Sequence, residues 1–229
     1  MMLNSHYDDD PARYSAKRSG WLNQRRQQRA IDFLRDAKAG DKVLDLGAGT
    51  GDLTLAIAAA RPELTVVGVE PLESYVAFAK ERAAERGLAN VDFAQGFAED
   101  LSSWLAAGSV DWIVSSDVLH HVTDEQAVVE SVAAVCKPGA NWLAIEPNAW
   151  NPYIFLFQAM TEGERNFRPK HFTRLATASR FRLAATDRLF LIPGAIPDPK
   201  PWMKQLEEKL ENSKVLGGGI ALRLVRTGA

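Results

Sequence analysis

Cysteine occurs once in the 229 residues, at Cys136. A single thiol closes no internal disulfide, so a disulfide-stapled scaffold is excluded, and one thiol with four scattered histidines assembles no zinc cluster. Charge of one sign is lacking too: 27 Lys plus Arg against 29 Asp plus Glu leave a formal net charge of -2. Without a global basic field to gather a polyanion, nucleic acid is not expected as a partner. No stretch approaches the roughly 20 apolar residues of a spanning helix, so no transmembrane segment is expected. The opening MMLNSHYDDDPARYS holds acids and no apolar run, unlike a secretory leader, and the chain is expected to be cytoplasmic. The remaining composition is ordinary: 46% hydrophobic and 24% charged residues suffice to bury one sizeable core.

Residues 1–40 show no strand pattern. Leu22, Ile31, Phe33 and Leu34 punctuate a polar background, which predicts a helix from about Trp21 to Lys38. Eight Lys or Arg between Arg13 and Lys38 face only Asp32 and Asp36, a bias read as a solvated helix face. After Gly40, short β-branched runs alternate with helical patterns, as βα units of a parallel sheet require. The runs are Lys42–Leu46, Thr65–Glu70, Val91–Gln95, Val110–Ser115, Asn141–Glu146 and Leu183–Ile192, with a seventh at Gly219–Arg226. Helical spacing marks Gly51–Ala60, Glu73–Arg86, Glu125–Cys136 and Lys170–Ser179. Two stretches fall outside this alternation: the aromatic-rich 147–168, and 193–216, where four prolines lead into an amphipathic helix. Both follow strands, on the rim where open α/β sheets bind ligands, and are read as caps.

The chemistry-bearing segment is VLDLGAGTGDLTLAIA, Val43–Ala58: a strand ending at Asp45 and Leu46, a glycine-rich turn, then a helix. Gly47, Gly49 and Gly51 permit a sharp turn and let a ligand lie against main-chain atoms. A dinucleotide fingerprint wants its third glycine at position 52, where this chain has Asp52. The next strand ends at Glu70, 19 residues after Gly51, where a carboxylate at the sheet's carboxyl edge can accept from both hydroxyls of a ribose.

These residues resemble class I S-adenosylmethionine-dependent methyltransferases of the small-molecule type, closely over residues 42–146. The resemblance implies an α/β fold: a Rossmann-like, mostly parallel seven-stranded sheet with helices on both faces and the last strand antiparallel. One domain, 1–229, would carry a helical lid at 1–40 and caps at 147–168 and 193–216. S-adenosylmethionine would lie with its methionine portion on Asp45, Gly47, Ala48, Gly49 and Gly51, and its ribose on Glu70 beside Pro71. Its adenine would meet Phe97, Ala98 and Glu99 of GFAEDL; the family frequently has Asp where Phe97 stands, so Phe97 would pack near the base, leaving the Ala98 N–H and Glu99 to read it. Ser115 and Ser116 of VDWIVSSDVLHHV would approach the methionine moiety, where Asp117 is either a partner of the amino group or a helix cap.

The reaction implied is direct displacement at the sulfonium methyl by an O-, N- or C-nucleophile of a small molecule, apolar or lipid-linked. His120 and His121, ahead of His171, are the candidate bases for a hydroxyl acceptor. Tyr14, Trp21, Glu146, Asn148, Trp150, Asn151 and Tyr153 are the expected acceptor contacts, and no metal is expected. EPNAWNP lacks the (D/N)PPY tetrapeptide of DNA amino-methylating enzymes. A monomer or homodimer is expected. Two other readings stay open: a non-catalytic cofactor-binding or membrane-surface scaffold, and a nicotinamide-dependent oxidoreductase.

Overall fold

A computed structural model describes residues 10–161 and 165–228. Seven strands form one sheet: β1 (Lys42–Leu46), β2 (Thr65–Glu70), β3 (Val91–Gln95), β4 (Val110–Ser116), β5 (Cys136–Pro147), β6 (Phe181–Leu189) and β7 (Gly219–Arg226). The order is β3-β2-β1-β4-β5-β7-β6; β1 to β5 pair in parallel, and β7 runs antiparallel to both β5 and β6. The sheet is therefore mostly parallel with its last strand reversed, as expected from the sequence. Eight α-helices accompany it among the described residues: α1 (Pro11–Lys17), α2 (Trp21–Phe33), α3 (Asp52–Ala60), α4 (Glu73–Glu85), α5 (Glu125–Val135), α6 (Pro152–Met160), α7 (Pro169–Ala178) and α8 (Pro201–Leu210). None of the described helices is long and apolar enough to cross a membrane.

Side-chain alternation divides β1 between two cores. Leu44 and Leu46 join Val128 and Val132 of α5 and Phe172 of α7 on one face, around the fully buried Trp142. Val43 faces the other way, with Ala30 of α2, Leu34, and Ile57 of α3. Helices thus cover both faces, and the C-terminal half of α2 is part of the core.

Several boundaries differ from the sequence pattern: α2 ends at Phe33 rather than Lys38, followed by a short 3-10 turn, and β5 begins at Cys136 rather than Asn141. The β6 ladder runs from Phe181 rather than Leu183 and stops at Leu189, because Arg180 (φ 65°) and Phe190 (φ 60°) are left-handed and turn the chain at either end. Cys136, read as the last residue of a helix, is extended (φ -78°, ψ 139°) and pairs with Val110 at the start of β5.

Candidate active site

The carboxyl ends of β1, β2 and β4 meet beneath α1 and α2. After β1 the chain turns through Gly47 (φ 74°) and Gly49 (φ 54°), and the Gly47 and Ala48 N–H groups both donate to the Val69 carbonyl. A Cβ on Gly47 would stand 2.3 Å from Val118, so β4's exit packs on bare backbone there. A Cβ on Gly49 would meet only Tyr14, at 3.8 Å, so this glycine borders open space. Gly51 begins α3 and is pressed against Ala79 and Phe93, on the core side of the loop.

Two buried carboxylates flank the turn. Glu70 closes β2 and accepts from the Gly49 N–H (3.0 Å) and the Leu72 N–H (3.1 Å). Burial pushes its carboxyl up to about 7, against those two bonds and with help from Asp45. Asp45 accepts from Thr54 Oγ1 at 2.6 Å and is raised by burial to about 6. Each Glu70 oxygen uses one lone pair on backbone and keeps another for a ligand hydroxyl.

Asp117, at the end of β4, adopts φ 55°, a left-handed conformation that costs a side-chain-bearing residue roughly 1–2 kcal/mol. Its carboxylate pairs with Arg26 (2.5 Å) and Arg18 (3.7 Å), which reach down from α2 and α1. Burial would raise this carboxyl, but the two guanidinium groups reverse the direction and hold it below its ordinary value. Arg18 also donates to the Tyr14 hydroxyl, and the Tyr14 ring lies 5.0 Å from Tyr75.

Two cavities open on either side of this cluster. The first encloses about 900 Å³ of empty space, its open mouth included, and runs along the glycine turn, Glu70, Pro71, Ala98 and Glu99 to Ser116. The second encloses about 1580 Å³, measured likewise, between β5, α6 and the segment after β6, with walls including Leu22, Ile145, Ile154, Phe157, Phe190 and Ile192. Tyr14, Arg18, Arg26, Asp117 and His121 line both. Within the first, Glu99 Oε2, Ser116 Oγ, Asp117 Oδ1 and Arg26 Nε are buried without a hydrogen-bond partner. Unpaired buried polar atoms are costly, and four around one cleft suit a polar ligand.

The two histidines differ in setting. His120 is buried, its Nδ1 2.6 Å from Glu146 Oε2, while Glu146 also accepts from the Val118, Leu119 and His120 N–H groups. Glu146 therefore caps the histidine turn from below. The His121 ring is tilted 42° against that of His120, with centroids 3.9 Å apart, and lines both cavities.

Asp45, Gly47, Ala48, Gly49, Glu70, Pro71, Ala98, Glu99 and Ser116 line the first cavity together. Ser115 is fully buried, accepting from Trp142 Nε1, and Phe97 is half exposed; neither lines either cavity. Tyr14, Glu146, Asn151 and Tyr153 line the second. Asn151 also caps α6, accepting from Tyr153 N and Ile154 N. Trp150 is 67% exposed outside both cavities, and Trp21 donates to Glu207 of α8. His171 lies on α7 beside Arg174, away from both.

Asn148 is fully buried: its amide donates to the Lys214 and Gly217 carbonyls and accepts from Trp150 N, tying the segment after β5 to the segment before β7. Asn148→Ala is expected to cost about 2 kcal/mol of stability, read as a lower urea midpoint at unchanged slope. Arg18 and Arg26 sit in a basic stretch whose pattern alone predicts a solvated face. No sequence signal separates them from their neighbours, since Lys17 and Arg25 in the same stretch stand eight apart as well.

Comparison with known proteins agrees with this fold. A family model described as a methyltransferase domain matches residues 37–212. The chain belongs to the methyltransferase domain family. Among curated relatives of this methyltransferase-family chain, a ubiquinone biosynthesis O-methyltransferase of Hahella chejuensis is 35% identical over 129 residues, covering 56% of this chain and 52% of that protein. A protein of the same name from Bordetella avium is 33% identical over 127 residues, covering 56% and 51%. The chain thus spans about half the length of these relatives. Among solved structures, the YcgJ protein of Bacillus subtilis superposes with a TM-score of 0.67 at 21% identity, covering 90% of this chain and all of that one. Geranyl diphosphate C-methyltransferase from Streptomyces coelicolor gives 0.69 at 17% identity, covering 96% and 84%. At these identities both show that the fold is shared.

Proposed function

We propose that this methyltransferase-family chain moves a methyl group from S-adenosylmethionine to a small, largely apolar acceptor. The observation carrying this reading is the meeting of two cavities at His121 and Asp117, one beside the glycine turn edged by unpaired buried polar atoms and one beneath α6 with aliphatic and aromatic side chains along its walls. The first suits the cofactor: its unpaired buried atoms offer acceptors and a donor, and the bare edge at Gly49 leaves room beside the main chain. The turn 47–51 would hold the methionine portion, Glu70 the ribose hydroxyls, and Ala98 N–H with Glu99 the adenine. S-adenosylmethionine, when bound, supplies a methyl carbon made electrophilic by its sulfonium.

What the chain contributes is alignment in a water-poor space. The acceptor's nucleophilic atom forms the new bond to carbon while the carbon–sulfur bond breaks and its electron pair stays on sulfur. For an oxygen acceptor, a ring nitrogen of His121 takes the departing proton, and the Glu146–His120 pair fixes the turn that aims it. Oxygen is favoured by the names of the curated relatives. An apolar acceptor is favoured by the cavity walls and by α6, whose Tyr153 and Phe157 line the cavity while remaining half exposed at its mouth. A cytoplasmic monomer or homodimer is the accompanying expectation. A nicotinamide-dependent oxidoreductase is not favoured, since the third fingerprint position is Asp52, hydrogen-bonded to Ser15 and Thr50.

The test is formation of S-adenosylhomocysteine from S-adenosylmethionine with a panel of alkylated phenols and catechols. His121→Ala should lower turnover about 100-fold for oxygen acceptors while changing cofactor affinity no more than a few-fold. No turnover across phenols, amines and activated carbon acceptors would count against the assignment.

A further inference from the structure

Besides the Arg18, Arg26 and Asp117 cluster that the second cavity shares with the first, α6 brings one further buried polar side chain to its lining. Gln158 on α6 is 3% exposed and lines the cavity together with Ile154, one helical turn earlier on the same face. Its Nε2 donates to the Arg165 carbonyl at 3.0 Å, and Arg165 Nε donates to the His120 carbonyl at 3.1 Å. These two bonds orient the amide and tie it to the histidine turn. Its Oε1 is buried and has no partner. Buried amide oxygens are almost always paired, and leaving one unpaired is costly. Of the other polar groups that β5 and the start of α6 bring to the cavity, Glu146 is committed to three backbone N–H groups and His120, and Asn151 to the α6 N-terminus and the Leu216 carbonyl; the unpaired Arg26 Nε and Asp117 Oδ1 belong to the cluster shared with the first cavity.

We infer that Gln158 Oε1 accepts a hydrogen bond from the acceptor, so that the cavity selects apolar molecules carrying a hydroxyl over those of equal shape that carry none. The inference rests on the proposed function and narrows it. An aliphatic or aromatic body fills the space among Ile154, Phe157, Phe190 and Ile192, and one O–H group pairs the locked amide oxygen. A site that pairs a ligand hydroxyl rejects the analogue lacking it more strongly than an apolar wall discriminates by size, because rejection leaves the buried oxygen unpaired.

A matched pair of probes tests this: 4-heptylphenol and its methyl ether, 4-heptylanisole, titrated by calorimetry into the full chain saturated with S-adenosylhomocysteine. The wild-type chain should bind the phenol about tenfold tighter than the ether. Gln158→Leu should erase that preference by weakening the phenol alone, and Gln158→Asn, which keeps the amide but shortens its reach, should retain part of it. Equal affinity for the two probes in the wild-type chain overturns the inference without requiring any variant, as does a phenol preference that survives in Gln158→Leu or binding of neither probe. Titration of S-adenosylhomocysteine alone separates the two levels. A chain that binds it without preferring the phenol loses only the role given to Gln158, whereas a chain that does not bind it loses the proposed function and this inference together.

Discussion

Gly49→Arg is expected to lower the affinity for S-adenosylmethionine at least 100-fold while leaving the chain folded. The reason is the geometry of the turn. A Cβ at Gly49 approaches only Tyr14, at an ordinary contact distance of 3.8 Å, so the new side chain extends into the first cavity rather than into the core. The backbone cost is that of a left-handed residue at φ 54°, roughly 1–2 kcal/mol. Gly47 is the control two residues earlier. There even Gly47→Ala brings a Cβ to 2.3 Å of Val118, on top of φ 74°, and the β4 exit must move. That variant should lose roughly 2–4 kcal/mol of stability. Thermal melts with and without cofactor distinguish the two: Gly49→Arg should melt near wild type and gain nothing from cofactor, whereas Gly47→Ala should melt early. Equal stabilisation of wild type and Gly49→Arg by cofactor would place the ligand elsewhere.

Cofactor affinity should fall about tenfold between pH 8 and pH 6, and Glu70 sets the direction. Its carboxyl sits at about 7 because it is buried, so the free chain carries it partly protonated at neutral pH. In the proposed placement the ribose hydroxyls would donate to the ionised form, so binding would expel the proton, and each unit below 7 would cost close to a factor of ten. Glu70→Gln should flatten this profile, and Glu70→Ala should reduce affinity about 100-fold at pH 8. Stability of the ligand-free chain runs the opposite way. Glu70 and Asp45 are raised above their ordinary values of 4.5 and 3.8 to about 7 and about 6. Between about pH 4 and pH 7 the folded chain therefore holds protons that the unfolded chain has released. Their stabilising contribution is complete below about pH 4 and is lost as pH rises through 6 and 7, a change of a few kcal/mol for the pair. Urea titrations of wild type and Glu70→Gln across this window isolate the Glu70 share.

The sheet was legible because its signals are local. Period-two and β-branched runs mark all seven strands, and Gly47, Gly49 and the acid ending β2 stand together within 24 residues. Of the boundaries that moved, those at Arg180, Phe190 and Cys136 depend on left-handed or extended backbone that residue types of low turn propensity do not advertise. The second cavity was less legible. Leu22, Ile154, Phe190 and Ile192 come from four distant segments, and only the folded chain brings them to one cavity. Polar residues near the rim were equally ambiguous: Asn148 and Glu146 carry the same chemistry whether they contact a ligand or satisfy backbone, and the structure gives both backbone partners. Arg18 and Arg26 mislead in the other direction, since a basic stretch with few acids resembles a solvated face until Asp117 is found between them.

The most direct test of the account is a calorimetric titration of S-adenosylmethionine into the wild-type chain at pH 8, with reduced nicotinamide cofactor titrated in parallel. One site of micromolar affinity for S-adenosylmethionine, lost in Gly49→Arg and weakened in Glu70→Ala, with no binding of the nicotinamide cofactor, is the result the account predicts. Absence of binding at millimolar S-adenosylmethionine, or binding indifferent to both substitutions, would contradict it.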